Sequence, residues 1–231
     1  MISKETLFVS ASELIRQLNK KKNMYIKKIT IENINEMDQR YRASLMNSLT
    51  GFKSVALIGT KSKANLENLA IFNSLVHIGS HPPIIGMIVR PDSAERNTLE
   101  NIEETGFYTI NHIQESFIEA AHHTSARYPK SISEFDESGL TPMYLPDFFA
   151  PFVKESLVQI GMEFKTKIPI SINNTLMIIG EVKTIQLPEE AVLSDGFIDL
   201  EITKSITNSG LDSYHTTKRI IRLPYAKPHI K

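Results

Sequence analysis

The sequence predicts an α+β fold, mainly β, built around an antiparallel barrel with peripheral helices. Three observations carry this. Short runs rich in β-branched and aromatic residues recur after Gly51. Polar or glycine residues bound each run. Few helical stretches separate the runs, whereas a parallel βαβ sheet would need one between most strands. The chain has 231 residues, 41% of them hydrophobic, enough for a sizeable core. We read residues 1–231 as a single domain, with a helical appendage over about 1–44 and the barrel over about 45–231.

The first fifty residues have helical periodicity. "SASELIRQLNK" places Leu14, Ile15 and Leu18 on one face, with Ser12 as N-cap. "INEMDQRYRASLMNSLTG" places Met37, Tyr41, Leu45, Met46 and Leu49 on one stripe, stopped by Gly51. Strand-like runs follow: "KSVALIGT", "LAIFNSLVHIG", "PPIIGMIV" and "GFYTIN". A helical segment, "ESFIEAAHHTSARY", then precedes the long loop "PKSISEFDESGLTPMYLPDFFAP". A second set of strands closes the chain: "SLVQIGMEFKTKIPI", "TLMIIGEVKTIQL", "GFIDLEI" and "KRIIRLPY". Asn173 and Asn174 tolerate positive φ, so residues of about 156–170 and 175–187 form a hairpin.

Composition excludes several chemistries. Lys+Arg and Asp+Glu are both 26, so there is no basic excess of the kind a nucleic-acid binder shows. The isolated Lys20-Lys21-Lys22 run reads as a solvated turn. No cysteine is present, which removes disulfides, thiolate metal sites and a cysteine nucleophile. Redox chemistry here would have to travel on a bound cofactor. The N-terminus lacks a signal-peptide core, and the longest apolar stretch is far too short to span a bilayer. The expectation is a soluble cytoplasmic protein with no membrane partner. No catalytic motif built on G-x-S-x-G, a P-loop, H-E-x-x-H or G-x-G-x-x-G occurs. His77 and His81 are four apart, but Gly79 and the diproline Pro82-Pro83 argue against a helix that would pair them on a metal. His122 and His123 are adjacent and point different ways from a helix. Asp136 and Glu137 read as solvated turn residues, and no side chain stands out as catalytic.

Two polar clusters remain. The helix predicted within "RNTLENIEETGFYTIN" carries Thr98 and Asn101 on one face of its first turn. Asn97 can cap it and Glu100 can close a capping box. Its free N–H groups suit a phosphate, and Arg90 and Arg96 lie just upstream to add charge-assisted bonds. The plainer reading is that Thr98 and Asn101 stabilise a turn, and Glu100, Glu103 and Glu104 weigh against an anion. The second cluster gathers Thr60, Lys61, Ser62, Asn65 and Asn68 in a turn. A strand carrying Asn73 and Ser74 in an apolar setting follows it. Such a pair needs partners if buried, and a flat ligand lying along the strand can supply them.

The ordered set of these segments resembles the flavin reductase-like proteins, or flavoredoxin family. Its elements are the strand ending in Thr60, "NLENLAIFNS", Pro82-Pro83, "TLENIEETGFYTIN", "FVKESLVQIGMEF", "MIIGEVKTI" and "LSDGFIDLEI". The resemblance covers about Leu45 to the C-terminus. It implies an FMN-binding split barrel of Greek-key type and a homodimer with the flavin near the subunit interface. It implies FMN contacts at Thr98 and Asn101 and along Phe72, Asn73, Ser74, Leu75 and Val76. With the residues read above, the expected cofactor set also includes Thr60, Lys61, Asn68, Arg90 and Arg96. The expected activity is hydride transfer from NADH or NADPH to FMN and on to an acceptor, free or carried by a redox partner. The alternative is a non-reductase electron carrier fed by another protein. A gap over the flavin lined by residues 130–150, with Tyr144, Phe148 and Phe149, would separate the two. Many relatives have two serines at Asn73-Ser74 and glycine at Asn65. Asparagine is the best non-glycine residue for a left-handed turn, so the turn can survive.

Overall fold

The structure, a computed structural model, describes residues 26–90 and 97–228. The helix expected over 10–20, the lysine run and Arg96 lie outside the described residues. The chain divides into two compact units between Ala43 and Ser44. In the first, α1 (Ile31–Glu36) is capped by Thr30, whose side chain accepts from the Asn33 N–H. The next helix is α2 (Gln39–Leu49). The single apolar stripe expected over 34–49 is therefore interrupted. Met37 is extended, and Asp38 Oδ1 accepts from the N–H groups of Arg40 and Tyr41 at 2.9 and 3.2 Å. An aspartate with two free N–H groups ahead of it starts a new helix more readily than it continues an old one. Gly51, at φ +80°, ends α2 as predicted.

In the second unit, β1 (Lys53–Ser54) leads into β2 (Ala56–Lys61), β3 (Glu67–Phe72), β4 (Leu75–Ser80) and β5 (Pro83–Val89). Helix α3 (Asn97–Thr105) and β6 (Phe107–His112) follow, then α4 (Ile118–His123) and α5 (Glu134–Ser138). The chain continues through β7 (Pro142–Met143), β8 (Phe152–Val153), β9 (Gln159–Ile170), β10 (Thr175–Gln186), β11 (Thr207–Ser209) and β12 (Ser213–His215). Seven strands form one sheet in the order β3-β2-β6-β9-β10-β5-β4. Every pairing in it is antiparallel. The neighbours β2·β6 and β5·β10 are joined by long excursions, as in Greek-key order.

The two edge strands, β3 and β4, are consecutive in the chain. Only Asn73 and Ser74 separate them. Three Cα–Cα steps span at most about 11 Å, whereas seven flat strands would set the edges about 29 Å apart at about 4.8 Å per strand. The sheet must curl until its edges meet. No ladder joins β3 to β4 among the described residues, so the barrel is closed by chain and split by pairing. The single strand expected across 69–79 is corrected accordingly: it is two strands on opposite edges. "GFIDLEI" forms turns with one isolated bridge, Val192 to Ile198, and "KRIIRLPY" has no regular secondary structure and joins no ladder. The β9–β10 hairpin forms as expected, with Asn174 at φ 58° and Asn173 Oδ1 accepting from the Thr175 hydroxyl at 2.8 Å.

β2 is buried on both faces. Val55 and Leu57 join Leu69, Phe117, Phe135 and Val153 in one core. Ala56 and Ile58 join Leu99, Ile102, Tyr108, Met162 and Ile178 in the other. This is why the run reads as continuously apolar rather than alternating.

His112, at the end of β6, places Nδ1 2.9 Å from Ser205 Oγ. Burial pushes its pKa from 6.5 down to about 4. The folded state therefore holds the ring neutral where the unfolded chain takes up a proton. Stability from this group is complete above about pH 6.5 and is lost as pH falls toward 4. We expect His112 to account for about 2 kcal/mol of the stability lost between pH 7.5 and pH 5. Urea unfolding of the parent and His112→Gln at both pH values checks this, since equal losses in the two proteins would leave His112 with no share.

Candidate functional site

The hairpin turn between β2 and β3 is set by local chemistry. Asn65 takes φ +64°, and Ser62 Oγ accepts from the Leu66 N–H at 3.1 Å. This register makes Thr60 and Asn68 cross-strand partners. Each then bonds one polar residue of α3. Asn101 Nδ2 donates to Thr60 Oγ1 at 3.1 Å, and Asn68 Nδ2 donates to Thr98 Oγ1 at 3.0 Å. Below these two rungs, Leu99 and Ile102 enter the core. The polar face of α3 is thus a docking edge, and Thr98 keeps its hydroxyl proton free to donate again.

The acids of α3 are engaged. Glu100 pairs with Lys130 at 2.6 Å and Glu103 with Lys167 at 2.5 Å, while Glu104 accepts from the Lys63 N–H at 3.2 Å. The expected capping box does not form. Asn97 is the first residue of the helix itself, and its Oδ1 is buried with no partner. Glu100 turns to Lys130 because an ion pair is available there.

A cavity of about 860 Å³ opens beside β3, the end of β5 and the start of α3. Of the expected residues, Asn68, Phe72, Asn73, Ser74, Arg90 and Thr98 line it. Asn73 Nδ2 donates to the Gly210 carbonyl at 3.1 Å. Ser74 Oγ donates to the Ile88 carbonyl at 2.9 Å and accepts from its N–H at 3.2 Å, stapling the β3–β4 link to β5. Arg90 donates to Asn47 Oδ1 at 2.6 Å.

The other expected residues stand elsewhere. Thr60 and Asn101 are buried and do not line the cavity. Lys61 lies over the rings of Tyr144 and Phe149, 4.5 and 4.3 Å from their centroids. Leu75 and Val76 belong to the edge strand β4. The aromatic gap expected from residues 130–150 is corrected. Tyr144 donates to Glu67 Oε1 at 2.6 Å, Phe148 packs on Phe107 and Phe152, and none of Tyr144, Phe148 and Phe149 lines the cavity. These rings find apolar and cationic partners on the barrel itself.

Several lining residues were not singled out from the sequence. Glu134 is 6% exposed and accepts from the Leu69 N–H at 3.0 Å; burial raises its pKa. It lay in a segment read only as loop. His122 comes from the last turn of α4, and Arg127 and Tyr128 from the segment after it, with His122 Nδ1 2.7 Å from Tyr214 OH and His123 Nε2 2.6 Å from Tyr128 OH. Asn208 arrives from β11. The two adjacent histidines do diverge, each to its own tyrosine. Among the described residues no cluster of three or more His, Asp or Glu could hold a metal ion, and no helix is long and apolar enough to cross a membrane.

A family model described as flavin reductase like domain matches residues 52–197. A protein of Shewanella frigidimarina NCIMB 400 with a split barrel domain, provisionally named a flavin reductase, is 47% identical. The match covers 87% of this chain and all of that one, with a TM-score of 0.84. Nitrilotriacetate monooxygenase component B from Bacillus cereus is 22% identical over 87% of this chain and all of its own, with a TM-score of 0.75. Flavoredoxin of Desulfovibrio vulgaris is 20% identical over 76% of this chain and 92% of its own, with a TM-score of 0.66. The last two show a common fold.

Proposed function

Since the chain belongs to the family of flavin reductase like domains, we propose that it is an FMN-binding oxidoreductase that takes hydride from NADH or NADPH and passes electrons to an acceptor. The observation that carries the choice of FMN is the Asn68–Thr98 rung at the mouth of α3. It orients a hydroxyl whose proton is free, on a cavity wall that also bears Arg90. The cavity fits such a ligand in a second respect. Asn97 and Asn208 both line it, and each has a buried Oδ1 without a partner.

FMN, when bound, supplies the hydride chemistry. The chain's part is to bind and orient. Thr98 would hold the phosphate, with Asn68 fixing its rotamer, and Arg90 would add positive charge from the end of β5. Phe72 would give the ring system an apolar wall. Ser74 and Asn73 keep the β3–β4 link in place beneath it. Hydride transfer itself needs no side-chain acid or base. The Bacillus cereus neighbour is named as one component of a monooxygenase, and a partner protein is one acceptor class open to this chain.

Titration with FMN and with riboflavin tests the phosphate reading: FMN is expected to bind at least tenfold tighter, and equal affinities would sink it. Stopped-flow mixing of the FMN-loaded protein with NADH and NADPH separates a reductase from a carrier, which neither nucleotide would reduce. We also propose a homodimer. The sheet keeps two unpaired edges, and Phe52, Ile220, Leu223 and Tyr225 are exposed. Light scattering should give twice the 26.1 kDa chain mass.

A further inference from the structure

Asn208 lies at the centre of β11, paired with Lys53 of β1 on one side and Tyr214 of β12 on the other. It is 1% exposed, yet its side-chain amide makes no hydrogen bond within the protein. Buried amides are almost always satisfied, because a lost water contact is not otherwise replaced. This one lines the cavity. It is held there by structure that does not depend on it. The chain turns at Gly210, φ +67°, and Asn73 clamps the Gly210 carbonyl to the β3–β4 link.

The other unpartnered acceptor on the cavity wall, Asn97 Oδ1, sits beside Thr98. Between Thr98's partner Asn68 and Gly210's partner Asn73 runs the length of β3, about 17 Å at about 3.3 Å per residue. The cavity thus has a hydroxyl end at Thr98 and an amide end at Asn208, and Arg90, held by Asn47 next to Ser48 at Gly210, stands toward the latter.

A carboxamide presents one acceptor and one donor side by side. Its complement is a group with a donor next to an acceptor, as when asparagine reads the edge of a base through two bonds. A cyclic imide, an N–H flanked by carbonyls, has that pattern, and the pyrimidine ring of a flavin is a cyclic imide. We infer that Asn208 reads the imide edge of the bound flavin, donating from Nδ2 to a ring carbonyl and accepting at Oδ1 from the ring N3–H. This rests on the FMN reading above. It adds a contact outside residues 52–197, the span that the family model matches.

The test uses the full-length protein and two ligands, FMN and N3-methyl-FMN, which lacks the ring N–H. The parent should bind FMN about tenfold or more tighter than its N3-methyl analogue. In Asn208→Leu that preference should shrink to about one, with FMN itself weakened and the apo melting temperature unchanged or raised. Asn208→Asp keeps the shape and the acceptor but loses the donor; it should weaken FMN about tenfold while still discriminating against the methyl group. A parent that binds both ligands alike overturns the inference, whatever the variants do. So does an undiminished preference in Asn208→Leu. A parent that binds neither ligand removes the FMN reading, and this contact with it.

Discussion

Thr98→Val is expected to weaken FMN binding about 10- to 150-fold. The substitution keeps the shape of the side chain and removes the hydroxyl that accepts from Asn68 on the cavity wall. A lost bond to a charged group costs about 1.5–3 kcal/mol, which sets that range at about 1.4 kcal/mol per decade. The Asn68 amide loses its acceptor as well, so the apo-protein should melt a few degrees lower. Thr98→Ser restores the hydroxyl and should recover both. Asn101, three residues on, makes the opposite case. It is 2% exposed and bonds Thr60 rather than facing the cavity. Asn101→Ala should lower the melting temperature and leave the FMN dissociation constant nearly unchanged. The two sites are close enough that the double variant need not be additive. Binding isotherms and melting curves for each variant decide it. An affinity loss at Asn101 equal to that at Thr98 would mean that the two polar groups act as one.

The largest stability effect is expected at Gly59. A Cβ there would lie 2.3 Å from the Pro151 carbonyl oxygen and 2.6 Å from Thr109 Oγ1. Both atoms belong to one buried network. Thr109 donates to Pro151 at 2.6 Å, Asn111 donates to Thr109 at 2.8 Å, and Asn111 accepts from the Val153 N–H at 3.0 Å. None can retreat without leaving a buried polar group unpaired. Gly59→Ala should therefore cost about 3 kcal/mol, or about 10 °C in melting temperature for a chain of this size. Gly106 is the comparison. Its φ is +79° and nothing lies within 4 Å of its missing Cβ, so Gly106→Ala meets only the backbone penalty of about 1 kcal/mol. Thermal melting that placed the two variants together would show that β2 is not pressed against Pro151.

The elements legible in the sequence were those whose signal is local. The β9–β10 hairpin shows its two asparagines. The turn before β3 shows Asn65, a non-glycine residue that takes the left-handed conformation readily. The polar face of α3 shows its spacing. What the sequence hid depends on which strands become neighbours. Nothing local in "AIFNSLV" reveals that Phe72 and Leu75 lie on opposite edges of one sheet, because the break is made by closure of the barrel. The same closure explains the lining residues that were missed. Glu134, Tyr128 and Asn208 come from three separate segments, and only the fold brings them to β3. The aromatic residues of 144–149 misled for the converse reason: a loop rich in rings looks like a ligand wall until the barrel supplies the partners.

The burial of β2 on both faces has a consequence for how the strand keeps its place. Ordinarily a slip by one residue is forbidden because it would turn apolar side chains outward. Here both faces lead into apolar cores, so Val55, Leu57, Ala56 and Ile58 could trade sides at little hydrophobic cost. The discrimination falls to the next two residues. Only glycine fits under Pro151, and Thr60 has the hydroxyl that Asn101 requires. A slip one way would drive Thr60 into the Pro151 carbonyl; a slip the other way would drive Ile58 there and leave the Asn101 amide facing a residue with no side chain. In this strand the apolar run supplies the attraction, and one glycine–threonine step decides the alignment.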